Sequence, residues 1–336
     1  MTNYTLSEIR SQPEVWQQIV DLCEGHRHEK VTEWMSSGHP VLTGSGSSFY
    51  VCLAAAALFT QLTGRRALAV SASEVCTFPK ALFSEAEKYS LLAVSRNGKS
   101  VETVEAARWF KECRSAPAVA VSTVTGSPLL EICEPGLMLT SAAEQSRFMT
   151  RSFTGALLGI HYLVASHAGN KELLSELRRL PEICRGVLER CLDSVKFLAE
   201  QKHFEDYVGL GQGPFYGLAA ESMLKVKEMV KAPAEAYPSL ELMHGPNYLL
   251  SKTTLVTLLQ ARSAQKYEFG LLERLRPLGA CVFVICEKAT AEIRETADFV
   301  FEIDSGLSEL ASLILAMPVM QLFAYYRAQA AGNQIE

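Results

Sequence analysis

Residues 39–48 read His39-Pro-Val-Leu-Thr-Gly44-Ser-Gly46-Ser-Ser48, and they join a short apolar run to a turn of glycines and hydroxyls. Short apolar runs that end in small polar residues and lead into helical patterns recur along the chain. This alternation is typical of the strands and helices of a parallel sheet. The sequence therefore predicts an α/β protein.

The order of these units repeats halfway along the chain. Three strand ends match three later ones at one offset of 165 residues: Gly44 with Gly209, Ser95 with Gln260, and Val121 with Cys286. Three matches at one offset predict two copies of one domain, each a parallel sheet sandwiched by helices. We expect a helical segment at 1–38, a first domain at 39–168 and a second domain at 169–336.

Helical patterns connect and flank the two copies. The joining region, about 150–201, contains a break at Gly169-Asn170 and a further helix start or kink at Pro181. Residues 6–36 also follow a helical pattern, and a last helix over 307–331 stops at Gly332-Asn333.

Composition is typical of a globular protein of the cytoplasm. The 336 residues are 48% hydrophobic, which is enough for a substantial core. A net charge of -5 with dispersed lysines and arginines lacks the basic patch of a nucleic-acid-binding protein. The N-terminus lacks the pattern of a signal peptide, and no apolar stretch is expected to reach the roughly 20 residues of a membrane span. We expect neither nucleic acid nor membrane as a partner.

Cysteine and histidine usage indicates an intracellular protein without a metal. Nine cysteines, an odd number with no CxxC pair, predict buried reduced thiols rather than disulfides or zinc ligands. The seven histidines likewise lack metal-ligand spacing. We expect no metal and no organic cofactor.

Two loops of the first copy have the composition of an anion site. Residues 43–48 and 95–100 follow predicted strands, open predicted helices and are rich in serine. Glycines let backbone N–H groups approach an anion, hydroxyls donate, and helix N-termini add positive potential. The loops suit a phosphomonoester, although they match neither of the nucleotide motifs GxGxxG and GxxxxGK[ST]. The alternative is that they only cap helices and form turns.

The second copy contains different candidate residues. Its matching loops, 209–214 and 260–265, have a single hydroxyl between them, but Glu221, Lys225 and Glu228 share one stripe of a predicted helix and His244 follows in a loop. A carboxylate beside a cation, with a following histidine, suits proton transfer at a carbonyl carbon. The alternative is an ordinary solvated helix face. We infer that the first copy holds a phosphate and the second supplies the chemistry.

Five motifs in combination resemble the sugar isomerase (SIS) family over nearly the whole chain. They are Gly46-Ser-Ser48, Ser95-x-x-Gly-x-Ser100-x-Glu-Thr103, Thr150-Arg-Ser-Phe-Thr154, Glu221-x3-Lys225-x-Lys-Glu228 and Glu241-x2-His244-Gly-Pro. The resemblance is to the isomerase half of glucosamine-6-phosphate synthase and to fructosamine-6-phosphate deglycases. It implies two tandem SIS-type domains.

The resemblance also implies roles for particular residues. Glu228 would move a proton between C1 and C2 of a sugar 6-phosphate. His244, which in this family can come from the partner subunit, would assist ring opening, and Glu221 and Lys225 would shape the site. Phosphate binding would fall to Ser47, Ser48, Ser95, Asn97 and Ser100, with Gly46, Arg96 and Thr150 in support.

The chain departs from the family pattern in the phosphate loop and at its ends. Asn97 stands where serine is common, and Lys99 where a small or acidic residue is common. No glutaminase domain precedes Met1, so synthesis with ammonia from glutamine is not expected. The C-terminus, Gly332-Asn-Gln-Ile-Glu336, lacks a basic tail, so no tail lysine is expected in the site.

Together these features predict an enzyme that acts at C1 and C2 of a ketose 6-phosphate or its amine adduct. A fructosamine-6-phosphate deglycase or deaminating isomerase is the leading hypothesis. An aldose–ketose isomerase, which shares the enediol chemistry, is one alternative, and a sugar-phosphate-binding protein without catalysis is another. We expect a homodimer or higher homo-oligomer, because a site built from two subunits needs a symmetric partner.

Overall fold

The computed structural model describes residues 3–25, 29–114, 116–201 and 203–335. They form two compact units. The first unit comprises Ser11–Gln145 and Met149–Arg179, and the second comprises Met1–Arg10, Ser146–Phe148 and Leu180–Glu336. This grouping by contacts differs from the expected limits, because residues 3–10 and 146–148 group with the second half of the chain and the division falls after Arg179.

A five-stranded parallel sheet forms the centre of the first unit. Its strands lie in the order β2-β1-β3-β4-β5. The strands are β1 (His39–Gly44), β2 (Leu68–Ser71), β3 (Tyr89–Val94), β4 (Ala118–Ser122) and β5 (Gly136–Met138). Every residue of β3 and β4 is buried, as expected where helices cover both faces of a parallel sheet.

The helices of the first unit follow or precede these strands. They are Gln12–Gly25, Glu29–Thr32, Ser47–Thr63, Ala72–Thr77, Pro79–Leu82, Val101–Arg114, Pro128–Ile132 and Arg151–His167. One core cluster joins Val41 of β1 and Leu91 of β3 to Ala107 and Phe110 of helix Val101–Arg114. Phe83 packs edge-on against Phe110, with ring centroids 5.1 Å apart.

The second unit repeats the architecture. Its strands are β6 (Asp206–Gly211), β7 (Ala234–Tyr237), β8 (Thr254–Leu259), β9 (Cys281–Cys286) and β10 (Phe299–Glu302), all parallel, in the order β10-β9-β8-β6-β7. Its main helices are Tyr4–Arg10, Pro214–Lys225, Gln265–Leu275, Ala291–Thr296, Glu309–Ser312 and Ala316–Ala330. Its core includes Val256 and Leu258 of β8 with Leu272 and Leu275. Two parallel α/β sheets with the same strand order confirm the predicted fold class.

The repeat does not keep the single offset that the sequence predicts. Gly46 and Gly213 precede the helices after β1 and β6 with nearly the same backbone angles, φ 57° and ψ -129° against φ 56° and ψ -127°. This match makes the local offset 167, so Gly44 corresponds to Gly211 and the predicted match with Gly209 is wrong. Loop insertions and deletions explain such shifts, because exposed connections tolerate length changes that buried strands do not.

Hydrogen bonds between strands fix the other two matches. The N–H of Ser95 donates to Val121 O over 3.0 Å, and the N–H of Gln260 donates to Ile285 O over 2.9 Å. Ser95 and Gln260 therefore correspond at the predicted offset of 165. Val121 corresponds to Ile285 rather than to the predicted Cys286.

Several helix boundaries also differ from the sequence expectation. The helical pattern over 6–36 is divided among Tyr4–Arg10, Gln12–Gly25 and Glu29–Thr32. Gly169 has φ +66° and breaks the chain between helices as predicted, but helix Lys171–Gln201 continues through Pro181.

One apolar segment is longer than the sequence predicted. Glu309–Ala330 has the length and composition of a membrane span, contrary to the expectation that no stretch reaches this length. Of its most apolar window, 89% is buried inside the protein. This burial is typical of a core helix.

Candidate functional site

Each sheet has one point where its strand order reverses. In the first unit this point lies between β1 and β3, and in the second between β6 and β8. Ligands of open parallel sheets bind beyond the carboxyl ends of the strands at such points. The residues to examine are therefore those that follow these four strands.

Hydroxyl side chains cluster at the reversal point of the first unit. Ser45 Oγ lies 3.4 Å from Thr103 Oγ1, and Ser95 Oγ lies 3.2 Å from Ser100 Oγ. The first pair joins the loop after β1 to helix Val101–Arg114, and the second pair closes the loop after β3. Neutral donors held at the carboxyl ends of two adjacent strands form an arrangement that suits a phosphate.

The helix after β1 begins next to this cluster. Ser47 and Ser48 are buried at the start of the 17-residue helix Ser47–Thr63. Gly46 takes up backbone angles that side chains rarely adopt, and a Cβ there would meet no atom within 4 Å. The requirement for glycine at this position is therefore conformational. We name Ser45, Ser47, Ser48, Ser95, Ser100 and Thr103 the hydroxyl cradle.

Asn97 occupies the tip of the second cradle loop. It is exposed, and its Oδ1 accepts a hydrogen bond from the N–H of Lys99 over 3.1 Å. This bond belongs to the turn itself, so only the Nδ2 group is available to donate to a ligand. The phosphate role of Asn97 remains a prediction.

A buried carboxylate that sequence reasoning missed links two of the predicted supporting residues. Glu144 accepts hydrogen bonds from the N–H of Thr150 over 2.6 Å, from Thr150 Oγ1 over 2.8 Å, and from the hydroxyl of Ser152. Arg96 Nη1 lies 3.5 Å from the same carboxylate, whose side chain is fully buried. Thr150 and Arg96 are thereby linked through Glu144. A single acid outside any regular pattern gives no sequence signal for this role.

The second unit contains a triad of charged side chains on one helix. Lys225 Nζ lies 3.2 Å from Glu221 Oε1 and 2.5 Å from Glu228 Oε2. Lys225 and Glu221 are fully buried, whereas the side chain of Glu228 is 33% exposed. The predicted stripe is therefore present, but it is a buried ion pair with one accessible carboxylate rather than a solvated face.

The backbone changes its geometry between these residues. The α-helix ends at Lys225, and residues Val226–Val230 form a wider π-helical turn. The turn ends at Lys231, which has φ +58° and whose N–H donates to Val226 O over 3.1 Å. Single π-helical turns inside helices are rare and frequent at functional sites. Glu228 lies in the middle of this turn, which we name the wide turn.

The charge of Lys225 is maintained by its neighbours. Burial lowers its pKa, but the carboxylates of Glu221 and Glu228 outweigh burial, so the net effect is a pKa above the usual value. Lys225 therefore stays protonated at neutral pH. This places a fixed cation beside Glu228.

His244 occupies an exposed turn of the second unit. It is exposed and follows the short turn Ser239–Met243, and Gly245 after it has φ +129°. Within residues 203–335 no hydrogen bond or ion pair joins His244 to Glu228. The joint role of the two predicted proton-transfer groups stays a prediction.

The reversal point of the second unit has a different chemistry. Ser239 Oγ lies 3.1 Å from Gln212 Oε1 and 2.9 Å from Glu268 Oε1, and Glu268 Oε2 accepts from the N–H of Ala261. Glu268 corresponds to Thr103 of the cradle, at the offset of 165. Burial raises its pKa to about 7, against hydrogen bonds from Ser239 and Ala261 that lower it. A buried acid in place of a hydroxyl disfavours an anion here.

Comparison with known sequences finds relatives that extend beyond this chain. The chain is 31% identical over 258 residues to a glutamine–fructose-6-phosphate aminotransferase (isomerizing) of Thermus thermophilus, covering 73% of this chain and 42% of that protein. It is 27% identical over 354 residues to the aminotransferase of the same name from Chlamydia abortus, covering 99% and 56%. The chain thus spans about half the length of these relatives. No family model matches it.

Comparison with solved structures finds the same fold over the whole chain. A tagatose-6-phosphate ketose/aldose isomerase of Escherichia coli has a TM-score of 0.90 at 21% identity, covering 99% of this chain and 94% of that one. The C-terminal domain of a glucosamine-fructose-6-phosphate aminotransferase of Francisella tularensis scores 0.86 at 20% identity, covering 100% and 98%. A glucosamine-6-phosphate deaminase of Thermotoga maritima scores 0.81 at 24%, covering 99% and 96%.

These likenesses agree with the motifs and with the two parallel sheets of equal strand order. The aminotransferases are similar to this chain in sequence, and the solved structures share its fold over nearly all of the chain. The chain resembles the sugar isomerase (SIS) family, and it has the fold of two tandem SIS-type domains.

Proposed function

We propose that the protein is an enzyme that moves a proton between C1 and C2 of an open-chain sugar 6-phosphate or its amine derivative. One observation carries the proposal: Glu228, in the wide turn, is a partly exposed carboxylate held 2.5 Å from a buried lysine. A general base must be ionised and accessible, and its position must be fixed. Glu228 is accessible, and its carboxylate is held in place by Lys225.

The hydroxyl cradle is the proposed site of the 6-phosphate. Its serine hydroxyls and the N-terminus of helix Ser47–Thr63 supply neutral donors and positive potential. Ser47, Ser48, Ser95 and Ser100 are the proposed ligands, with the Nδ2 group of Asn97 at the loop tip. Arg96, which is held by Glu144, is proposed as a supporting residue of this loop.

For a fructosamine 6-phosphate the proposed steps are as follows. The Glu228 carboxylate takes a proton from C1, the C1–H electrons form the C1–C2 double bond, and the C2 carbonyl oxygen gains a proton to give an enaminol. Return of a proton to C2 yields a C1 imine, which water hydrolyses to an aldose 6-phosphate and a free amine. For glucosamine 6-phosphate the proton moves from C2 to C1, and hydrolysis of the C2 imine yields fructose 6-phosphate and ammonia.

We propose an amine derivative as the substrate before a plain aldose or ketose. The support is the sequence likeness to aminotransferases that are named for both amine transfer and isomerisation. A plain isomerase would run the same proton transfer through an enediol and would need no hydrolysis. The two reactions therefore place the same demand on Glu228.

His244 is the proposed acid and base for ring opening. Because it lies exposed and without a bond to Glu228, we propose that a second copy of the chain brings its own His244 to this site. A homodimer or higher homo-oligomer follows from this arrangement.

The test is solvent exchange with a substrate panel. The protein is incubated in D2O with a 6-phosphofructosyl-amine, glucosamine 6-phosphate and fructose 6-phosphate, and deuterium at C1 and C2 is followed by NMR. We expect exchange with at least one amine derivative, loss of exchange in Glu228→Gln, and retained binding of the sugar phosphate. Glu273→Gln, which changes an exposed glutamate of helix Gln265–Leu275, is the matched control and should keep full exchange.

Two results would contradict the proposal. Full exchange by Glu228→Gln would remove Glu228 from the chemistry. Binding of sugar phosphates by the wild type with no exchange of any of them would indicate a binding protein instead.

A further inference from the structure

The C-terminal segment binds the backbone that follows Glu228. Asn333 Nδ2 donates to Val230 O over 2.6 Å and to Met229 O over 3.2 Å. These are the last two carbonyls of the wide turn. The amide group has two N–H donors, and it places one on each acceptor.

The carbonyls at this end of the helix need donors from outside it. The last four carbonyls of a helix have no partner within the helix, and Lys231 turns the chain away in the left-handed conformation. Met229 and Val230 are buried, so water has little access to their backbone. An unpaired buried carbonyl is costly, and Asn333 satisfies both.

Asn333 is itself held by a rigid element. The helix Ala316–Ala330 ends in a glycine motif, in which Gly332 has φ +73° and the N–H of Asn333 donates to Ala328 O over 2.9 Å. Every residue from Ala316 to Ala328 is buried, and Ile335 beyond the motif is buried as well. The Asn333 side chain therefore acts from a fixed point rather than from a free tail.

We infer that Asn333 is a positioning residue for Glu228, acting through the backbone of the wide turn. The inference rests on the proposed function, in which Glu228 is the base. Lys225 holds the Glu228 carboxylate from the N-terminal side of the turn, and Asn333 fixes the carbonyls on its C-terminal side. A displacement of about 1 Å at a reacting group can lower turnover about 100-fold.

The test compares steady-state kinetics of Asn333→Ala and the wild type with the substrate that exchanges. We expect kcat to fall about 10-fold to 100-fold with KM changed less than about 3-fold, because the phosphate site is untouched. Asn333→Gln keeps both donors on a longer side chain and should recover part of kcat. Asn333→Asp places a carboxylate against two carbonyls and should recover none.

Asn170→Ala is the matched control. Asn170 also stabilises a helix end, since its Oδ1 accepts from the N–H of Leu173 over 3.0 Å, but it has no bond to the wide turn. A merely structural effect would lower stability in both variants and leave kcat of the folded protein unchanged in both. Amide hydrogen exchange of residues 226–231 should increase in Asn333→Ala and not in Asn170→Ala.

The possible outcomes test the positioning role of Asn333 separately from the proposed role of Glu228. If the wild type is active and Asn333→Ala keeps kcat within about 2-fold, the positioning role is wrong while the role of Glu228 stands. If Asn333→Gln recovers nothing although the turn is protected as in the wild type, the amide is not the acting group. If no substrate exchanges with the wild type, the proposed function fails, and the positioning role fails with it.

Discussion

The ammonium nitrogen of Lys225 lies 2.5 Å from a carboxylate oxygen of Glu228, and it also lies 3.2 Å from Glu221. Two carboxylates share one buried cation, and only Glu228 reaches solvent. A buried charge without a partner is costly, whereas a carboxylate at the surface can be solvated. The triad thus keeps one carboxylate buried and presents the other.

Removal of this cation should destabilise the fold. Lys225→Met leaves Glu221 buried without its partner, and we expect the free energy of unfolding at pH 7 to fall by about 3 kcal/mol, as for other broken buried pairs. Urea denaturation measures the change. The double variant Glu221→Gln with Lys225→Met removes both charges and should recover at least half of the loss. A double variant less stable than Lys225→Met alone would contradict this account.

The two equivalent glycines provide a matched pair of substitutions. Gly46→Ala and Gly213→Ala force the same strained backbone angles on alanine, so each should lower stability by about 1–3 kcal/mol. Only Gly46 adjoins the hydroxyl cradle. Calorimetric titration with fructose 6-phosphate should show about 10-fold weaker binding for Gly46→Ala and unchanged binding for Gly213→Ala. Equal weakening by both would show that the cradle is not the phosphate site.

A buried histidine in the first unit should make stability depend on pH. Burial lowers the pKa of His161 from 6.5 to about 4, and its Nε2 has no hydrogen-bond partner. The unfolded chain takes up a proton near pH 6.5, whereas the folded chain takes it up only near pH 4. The stabilisation is therefore complete above pH 6.5 and is lost as the pH falls to 4, by about 3 kcal/mol in all.

The measurement compares His161→Leu with the wild type by urea denaturation from pH 7.5 to 4.5. As the pH falls, the wild type should lose more of its unfolding free energy than His161→Leu does. Parallel curves for His161→Leu and the wild type would contradict the prediction.

Glu268 should make the stability of the fold change with pH in the opposite direction to His161. Its folded pKa of about 7 lies above the ordinary 4.5, so between these values the folded chain binds more protons than the unfolded chain. Its contribution to the free energy of unfolding is largest below pH 4.5. About 3 kcal/mol of that contribution is lost as the pH rises to 7. Glu268→Gln keeps a neutral group of the same shape and should be more stable than the wild type above pH 7. A stability difference between Glu268→Gln and the wild type that stays constant from pH 4.5 to pH 8 would contradict the prediction.

Local sequence predicted much of the fold because buried strands have a distinct composition. The apolar runs at β3, β4, β8 and β9 appear as strands within one residue of their expected ends. The single offset failed because loops change length without cost to the core. The prediction of a helix start at Pro181 was wrong, and so was the expectation that no apolar segment reaches the length of a membrane span, because tertiary packing as well as residue type decides where a helix runs. A kink at Pro181 stays a prediction.

The sequence by itself determined the chemical groups of the site. The spacing of Glu221, Lys225 and Glu228 places them on one helical stripe, and the serines after β1 and β3 follow strand ends, since both patterns depend only on local geometry. Only the tertiary structure decided that the stripe is buried, that Glu144 links Arg96 to Thr150, and that Asn333 binds the wide turn more than 100 positions away. Burial and long-range hydrogen bonds depend on which segments pack together, and no spacing along the chain encodes that directly.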